Sequence, residues 1–216
     1  MFFCGWARYD GGGGMMPKSE RRTRTEMLDH TREQLLAAGR RFFAEQGYAA
    51  TSMDELTASV GLTRGALYHH FGGKSGLMDA VVRSMDDELC VELRAILRST
   101  EDPLLALARR GRAYIEKTQA PEFQRIMFTD APAVVTDAVE ETARACIATL
   151  AEVVQDAKDR GTVSERVSPV VIATMLNGAL ADASRWVAAA SGDAEREERL
   201  DAAIESAAAL VEGLRL

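Results

Sequence analysis

The sequence predicts an all-α protein of about nine helices and no sheet. From about Glu26 onward, apolar residues recur at the spacing of one helix face, as in Leu28, Leu35, Ala38 and Phe42. The segments between the prolines are rich in helix-favouring residues, and each proline after residue 17 falls near a plausible helix start. No convincing run alternates between apolar and polar residues, as a half-buried strand does.

The composition, with 47% apolar and 27% charged residues, is typical of a globular protein. The cysteines Cys4, Cys90 and Cys146 match neither a disulfide framework nor a zinc spacing, which favours a reducing, cytoplasmic location. No apolar run reaches the roughly 18 residues that span a bilayer, so no membrane partner is expected.

Composition also divides the chain into three parts. The start contains Gly11–Gly14 but lacks the apolar stretch of a signal peptide, so we expect a disordered extension. The adjacent Met15 and Met16 suggest that translation of the native protein begins at one of them. The expected boundaries are residues 1–25 for the extension, 26–80 for a first helical domain and 81–216 for a second, larger one.

Residues 52–71 carry the local signals of a helix-turn-helix. Ser52 followed by Glu55 is a capping box that begins a helix, and Gly61 permits the left-handed turn that ends it. Thr63 then caps a second short helix. The residues spaced to pack these helices together are Leu56, Val60, Leu62, Leu67 and Phe71. Upstream, Gly47 is expected to end the first helix. The second helix of such a motif enters the major groove of double-stranded DNA.

The surface of this second helix suits DNA. Arg64 in its first turn can bridge a guanine through two hydrogen bonds, and the small Gly65 lets the backbone approach the bases. The free N–H groups at the helix start can bind a phosphate. Tyr68 and Lys74 offer a hydroxyl and a charge to the DNA backbone.

The segment from about Arg32 to Val82 resembles the DNA-binding domain of the TetR family of transcriptional regulators. The most specific part is Leu67-Tyr68-His69-His70-Phe71 with Lys74 and Leu77, at the spacing that family shows after its turn glycine. Phe42-Phe43, Gly47 and Thr51-Ser52 also fit. Two features depart from the family: Leu56-Thr57 replaces Ile-Ala, and Asp54 and Glu55 are acidic near the DNA-facing helix. Thr57 can bond a carbonyl of its own helix, while the acidic pair either sharpens specificity by repulsion or caps.

The resemblance implies a sequence-specific regulator, expected to be a repressor, bound to a double-stranded DNA operator. The implied contacts are Thr51 or Ser52 to a phosphate, Thr63, Arg64 and Gly65 to the major groove, and Tyr68, His70 and Lys74 to phosphates. Thr63 caps its helix in any case, and His69 is expected at the surface. The basic residues Lys18, Arg21, Arg22 and Arg24 form either a solvated tail or an arm that touches DNA.

The charge distribution bears on this interface. The net charge is −7, but residues 1–80 hold 10 basic and 9 acidic residues, whereas residues 81–216 hold 16 and 24. The DNA-binding part is therefore nearly neutral, and we expect a few well-placed phosphate contacts rather than a broad positive field.

The resemblance assigns dimerisation and effector binding to the second domain. Two late segments carry apolar stripes that either form a four-helix homodimer interface or belong to the core of one subunit. The expected interface residues are Ile172, Leu176, Ala179, Leu180, Ala183, Val187, Leu200, Ile204, Ala207 and Val211.

The effector is expected to be a small, mostly apolar molecule of unknown identity. Its candidate pocket residues, which are otherwise plain core, are Met85, Leu89, Tyr114, Phe123, Met127, Phe128 and Trp186. A polar anchor is expected from Arg125, Asp130 or Asp182.

Two other function classes stand as alternatives to a regulator. An enzyme is least favoured, because the sequence lacks a nucleophile elbow, an H-E-x-x-H motif and a phosphate loop. We therefore expect no catalytic residue, no cofactor and no metal. A helical adaptor or ligand-binding protein that no longer binds DNA is disfavoured by the intact Arg64, Tyr68 and Lys74.

Overall fold

The structure, a computed structural model, describes residues 24–216. Within that range it is helical, apart from loops and one isolated bridge between Val163 and Arg215. The helices are α1 (Arg24–Ala50), α2 (Met53–Ser59), α3 (Arg64–Phe71), α4 (Lys74–Ser99), α5 (Pro103–Lys117), α6 (Pro121–Phe123, the π-helical Gln124–Asp130 and Ala131–Val134), α7 (Thr136–Asp159), α8 (Pro169–Ala188) and α9 (Asp193–Glu212). The expected all-α fold of about nine helices is confirmed for the described chain.

Two expectations about the start of the chain concern residues outside that range. Residues 1–23 contain most of the expected disordered extension. They also contain Met15 and Met16, Cys4 and all of the basic stretch except Arg24. Helix α1 begins at Arg24, two residues before the expected position.

One apolar core joins the helix-turn-helix to the body of the protein. Leu35 of α1, Leu56 of α2 and Leu67 of α3 are fully buried, and they belong to the same cluster as Leu77 and Met85 of α4. That cluster continues to α6 and α7. Residues 80 and 81 both lie inside α4, so this helix is shared by the two proposed domains.

The body consists of α4 to α9. Leu104, Leu150 and Val211 anchor one core between α5, α7 and α9, while Ile115 and Val187 anchor another between α5 and α8. No helix of the described chain has both the length and the apolar character needed to cross a membrane.

Gly47 acts differently from the expectation. It does not terminate α1 but kinks it, because its φ of 79° and ψ of 165° are non-helical and the helix resumes to Ala50. Pro132 lies, as expected, near the start of an α-helical segment, Ala131–Val134, directly after the π-helical turn. π-Helical turns are rare and occur mostly as single turns within α-helices.

Candidate nucleic-acid interface and effector cavity

The helix-turn-helix forms from the local signals in its sequence. Ser52 Oγ accepts the N–H of Glu55 at 3.4 Å, and Thr63 Oγ1 accepts the N–H of Ala66 at 3.2 Å, so both predicted N-caps are confirmed. Gly61 has a φ of 68°, the left-handed conformation expected of the turn. Thr57 Oγ1 donates to Met53 O at 2.9 Å, which satisfies its buried hydroxyl.

Helix α3 presents an exposed polar face. Arg64 and Tyr68, four residues apart, are both about half exposed, and the guanidinium lies 5.7 Å from the centroid of the Tyr68 ring. Gly65 beside them is exposed. Arg64 Nη1 also lies 3.4 Å from Asp54 Oδ2, so the unusual acidic residue of α2 is an ion-pair partner of the reading helix. This pair is open to solvent and stabilises little.

The two histidines lie at the end of α3. His69 is exposed, as expected, and His70 is partly buried, with ring centroids 5.2 Å apart. No group of three metal-ligating side chains occurs among residues 24–216. The side chain of His70 is thus partly exposed to solvent at the edge of the polar face of α3.

Thr51 is wrongly placed among the phosphate contacts. Its side chain is buried, and its hydroxyl donates to Gly47 O at 2.7 Å, a carbonyl that also accepts the backbone N–H of Thr51 at 3.3 Å. Ser52, which is partly exposed, is the residue of this pair that solvent reaches.

Lys74 has a structural partner that the sequence did not predict. Its Nζ donates to Ala49 O at 3.2 Å and lies 4.7 Å from the centroid of the Tyr48 ring. The amine therefore neutralises the carbonyl end of α1, and its partial burial lowers its pKa. A phosphate contact by Lys74 competes with these interactions.

A cavity of about 170 Å³ lies between α4, α5, α6, α7 and α8. Five of the seven predicted pocket residues line it, namely Leu89, Tyr114, Phe123, Met127 and Phe128. Met85 does not, because it is buried in the core shared with the helix-turn-helix. Trp186 does not, because it points to the opposite, exposed side of α8.

The polar lining of this cavity differs from the expected anchors. Asp86, Thr142, Asn177 and Arg185 contribute to the wall, whereas Arg125, Asp130 and Asp182 do not. Sequence reasoning missed Asp86 because it lies one position beside the apolar face of α4, where a carboxylate is normally solvated. Burial instead raises the pKa of Asp86.

Helix α6 connects this cavity to the helix-turn-helix. Phe123, Met127 and Phe128 line the cavity, while other α6 side chains hold α1. Glu122 accepts from Arg40 at 2.7 Å, and Asp130 Oδ2 accepts the N–H of Tyr48 at 2.8 Å.

At the kink in α1 the two helices are in close contact. Arg125 Nη2 donates to Gln46 O at 3.4 Å, and a Cβ on Gly47 would lie 2.0 Å from the same nitrogen. Helix α6 is therefore in direct contact with the end of α1.

Helices α8 and α9 expose a broad apolar surface. Val171, Met175, Trp186 and Leu210 are each about half exposed or more. Beside them lies a groove of about 290 Å³ whose wall is almost entirely apolar. Exposed apolar area is typical of interaction surfaces where it is contiguous.

The predicted interface residues divide between this surface and the interior. Leu180, Val187 and Val211 are largely buried inside the subunit, although Leu180 and Val211 also line the groove, and their contact with a partner stays a prediction. Ala179 is exposed, and the remaining ones, Ile172, Leu176, Ala183, Leu200, Ile204 and Ala207, are partly buried against the core. A stripe facing the core has the same periodicity as one facing a partner, and α8 is apolar on both sides.

Fold and site together define a helix-turn-helix protein whose DNA-reading head is joined to a helical body that contains a cavity. Comparison with known proteins agrees with this class. The family described as bacterial regulatory proteins, tetR family, matches residues 35–81. The family described as tetracyclin repressor-like, C-terminal domain, matches residues 104–214, which is more than half of the chain. The chain therefore belongs to the TetR family.

Individual relatives are similar in sequence or structure. The HTH-type transcriptional repressor KstR2 of Mycobacterium tuberculosis is 32% identical over 103 residues, covering 48% of this chain and 52% of the relative. The HTH-type transcriptional regulator AcrR of Shigella flexneri is 32% identical over 108 residues, half of each chain. The chain thus spans about half the length of these curated relatives. A TetR-family transcriptional regulator from Pectobacterium atrosepticum matches with a TM-score of 0.77 and 40% identity, covering 90% of this chain and 98% of that structure.

Proposed function

We propose that the protein is a sequence-specific DNA-binding transcriptional regulator, a homodimeric repressor that a small, mostly apolar ligand releases from its operator. The observation that carries this proposal is the exposed face of α3, where Arg64 and Tyr68 lie beside the small Gly65. An arginine in the first turn of a reading helix can recognise a guanine, and a neighbouring hydroxyl can hold a phosphate.

The proposed DNA contacts follow from exposure and chemistry. Arg64 contacts a base edge once it leaves Asp54, and the N–H groups of Thr63 and Gly65 approach the DNA at the start of α3. The proposed phosphate contacts are Ser52, Tyr68 and His70, with Lys74 joining them when it is released from α1. Few positive charges take part, so the interface depends on placement rather than on a strong field.

Release by a ligand is proposed to pass through α6. A ligand in the cavity contacts Phe123 and Met127, while Asp130 on the same helix holds the Tyr48 N–H of α1. A ligand that prefers a shifted α6 favours a head orientation that no longer matches half-sites about 34 Å apart.

The test is a gel-shift titration with the DNA upstream of the protein's own gene at fixed salt. The Arg64→Ala variant is expected to weaken specific binding by 1–3 kcal/mol, or about 5- to 150-fold. Arg112→Ala is the matched control, because Arg112 is equally exposed and also pairs with a carboxylate, but lies on α5. Equal behaviour of the two variants, or no specific retardation by the wild type, would favour the adaptor and contradict the proposal.

A further inference from the structure

We propose that the effector is a small apolar or aromatic amine, bound as a cation with the carboxylate of Asp86 as its counterion. This inference rests on the proposed function in taking the cavity as the effector site, and it adds the chemical class of the ligand.

Asp86 is a carboxylate at the cavity wall that no cation contacts directly: burial raises its pKa, and the more distant charges of Arg94 and Arg110 oppose that shift. It lines the cavity wall, and among the described residues no lysine, arginine or histidine forms an ion pair with it. Its hydrogen-bond donor is the thiol of Cys90, whose Sγ lies 3.7 Å from Oδ2. Burial raises the pKa of Cys90 to about 11, so that this donor is neutral. A partly buried carboxylate without a counterion is costly, and a ligand cation removes that cost.

Two arginines near the cavity have other partners. Arg185 lines the wall, but its guanidinium pairs with Asp182 and lies 5.4 Å from the centroid of the Phe128 ring. Arg110 is buried and donates to Cys146 Sγ at 2.9 Å, and it is not part of the cavity wall. An anionic ligand therefore meets the charge of Asp86, while the arginine of the wall, Arg185, is already paired and Arg94 and Arg110 lie outside the wall.

The aromatic wall suits a cation as well as a ring. Tyr114, Phe123 and Phe128 face the cavity, and the last two rings are 5.8 Å apart in an edge-to-face arrangement. The π faces of such rings attract cations, as the position of Arg185 over Phe128 already illustrates. The volume of about 170 Å³ suits one ring and a short chain, since an apolar cavity of about 150 Å³ holds benzene.

The experiment compares three probes of similar shape and different charge. Calorimetric titration of the full chain with 2-phenylethylamine, 2-phenylethanol and 3-phenylpropanoate at neutral pH measures each Kd. We expect the amine to bind about tenfold or more tightly than the alcohol and the carboxylate to bind most weakly.

Variants of Asp86 separate charge from shape. Asp86→Asn is expected to lower amine affinity about tenfold and to change alcohol affinity less than about twofold. Asp86→Glu keeps the charge and is expected to retain the preference for the amine. Asp87→Asn is the matched control, since Asp87 is the exposed neighbour on α4. Thermal unfolding of each variant shows that it is folded.

Three results overturn the inference: tightest binding of the carboxylate, an unchanged amine preference in folded Asp86→Asn, or no amine binding at about 10 mM. The gel shift without ligand is read separately. If the protein binds the amine but does not retard its upstream DNA, only the proposed function is contradicted. If the protein retards this DNA specifically but binds all three probes equally, only the proposed ligand class is contradicted.

Discussion

Replacement of Asp130 by alanine tests the junction between α6 and the head. Asp130 accepts the N–H of Tyr48 at 2.8 Å, and its side chain is 17% exposed. A hydrogen bond to a charged acceptor contributes about 1.5–3 kcal/mol, and its loss leaves the N–H unpaired. The ion pair with Arg125, which is 3.4 Å long and half exposed, adds at most about 1 kcal/mol after solvent screening. We therefore expect Asp130→Ala to lower the free energy of unfolding by about 2–3 kcal/mol.

Thermal unfolding at fixed protein concentration measures this change. For a chain of this size each kcal/mol shifts the midpoint by about 2–4 °C, so we expect a decrease of about 4–12 °C. Asp130→Asn keeps an acceptor oxygen and is expected to lose about half as much. Asp87→Ala, an exposed change within α4, is the control. A decrease no larger than that of the control would refute the role assigned to this hydrogen bond.

Two further predictions concern the kink and the dimer. Gly47→Ala is expected to lower stability by about 1–3 kcal/mol, since its φ of 79° with ψ of 165° suits glycine alone and Arg125 must also move. Gly213→Ala, at a φ of −63°, is expected to be nearly neutral in the same thermal-unfolding assay, and equal effects would contradict the strain argument. Met175→Glu is expected to weaken a homodimer at least about tenfold by light scattering, because Met175 is exposed on the apolar face of α8. Met27→Glu is the control for an exposed methionine elsewhere, and a monomeric wild type would contradict the proposed interface.

The helix-turn-helix was predictable because its interactions are local. Ser52 and Thr63 each accept the backbone N–H three residues ahead and so cap a helix, and Gly61 takes the left-handed turn. Partners only a few positions apart are brought together by the helix itself, so their spacing in the sequence is sufficient. Three residues of the cavity wall, Phe123, Met127 and Phe128, were also predicted, because they recur at helical spacing.

Tertiary packing decided the rest. The bonds from Asp130 to Tyr48 and from Lys74 to Ala49 join residues 82 and 25 positions apart, and no local pattern records them. Periodicity places Val187 on an apolar stripe without showing whether that stripe faces the core or a partner. The pKa of Asp86 is raised only in the folded protein, where α6 and α7 pack beside it and burial separates the carboxylate from water.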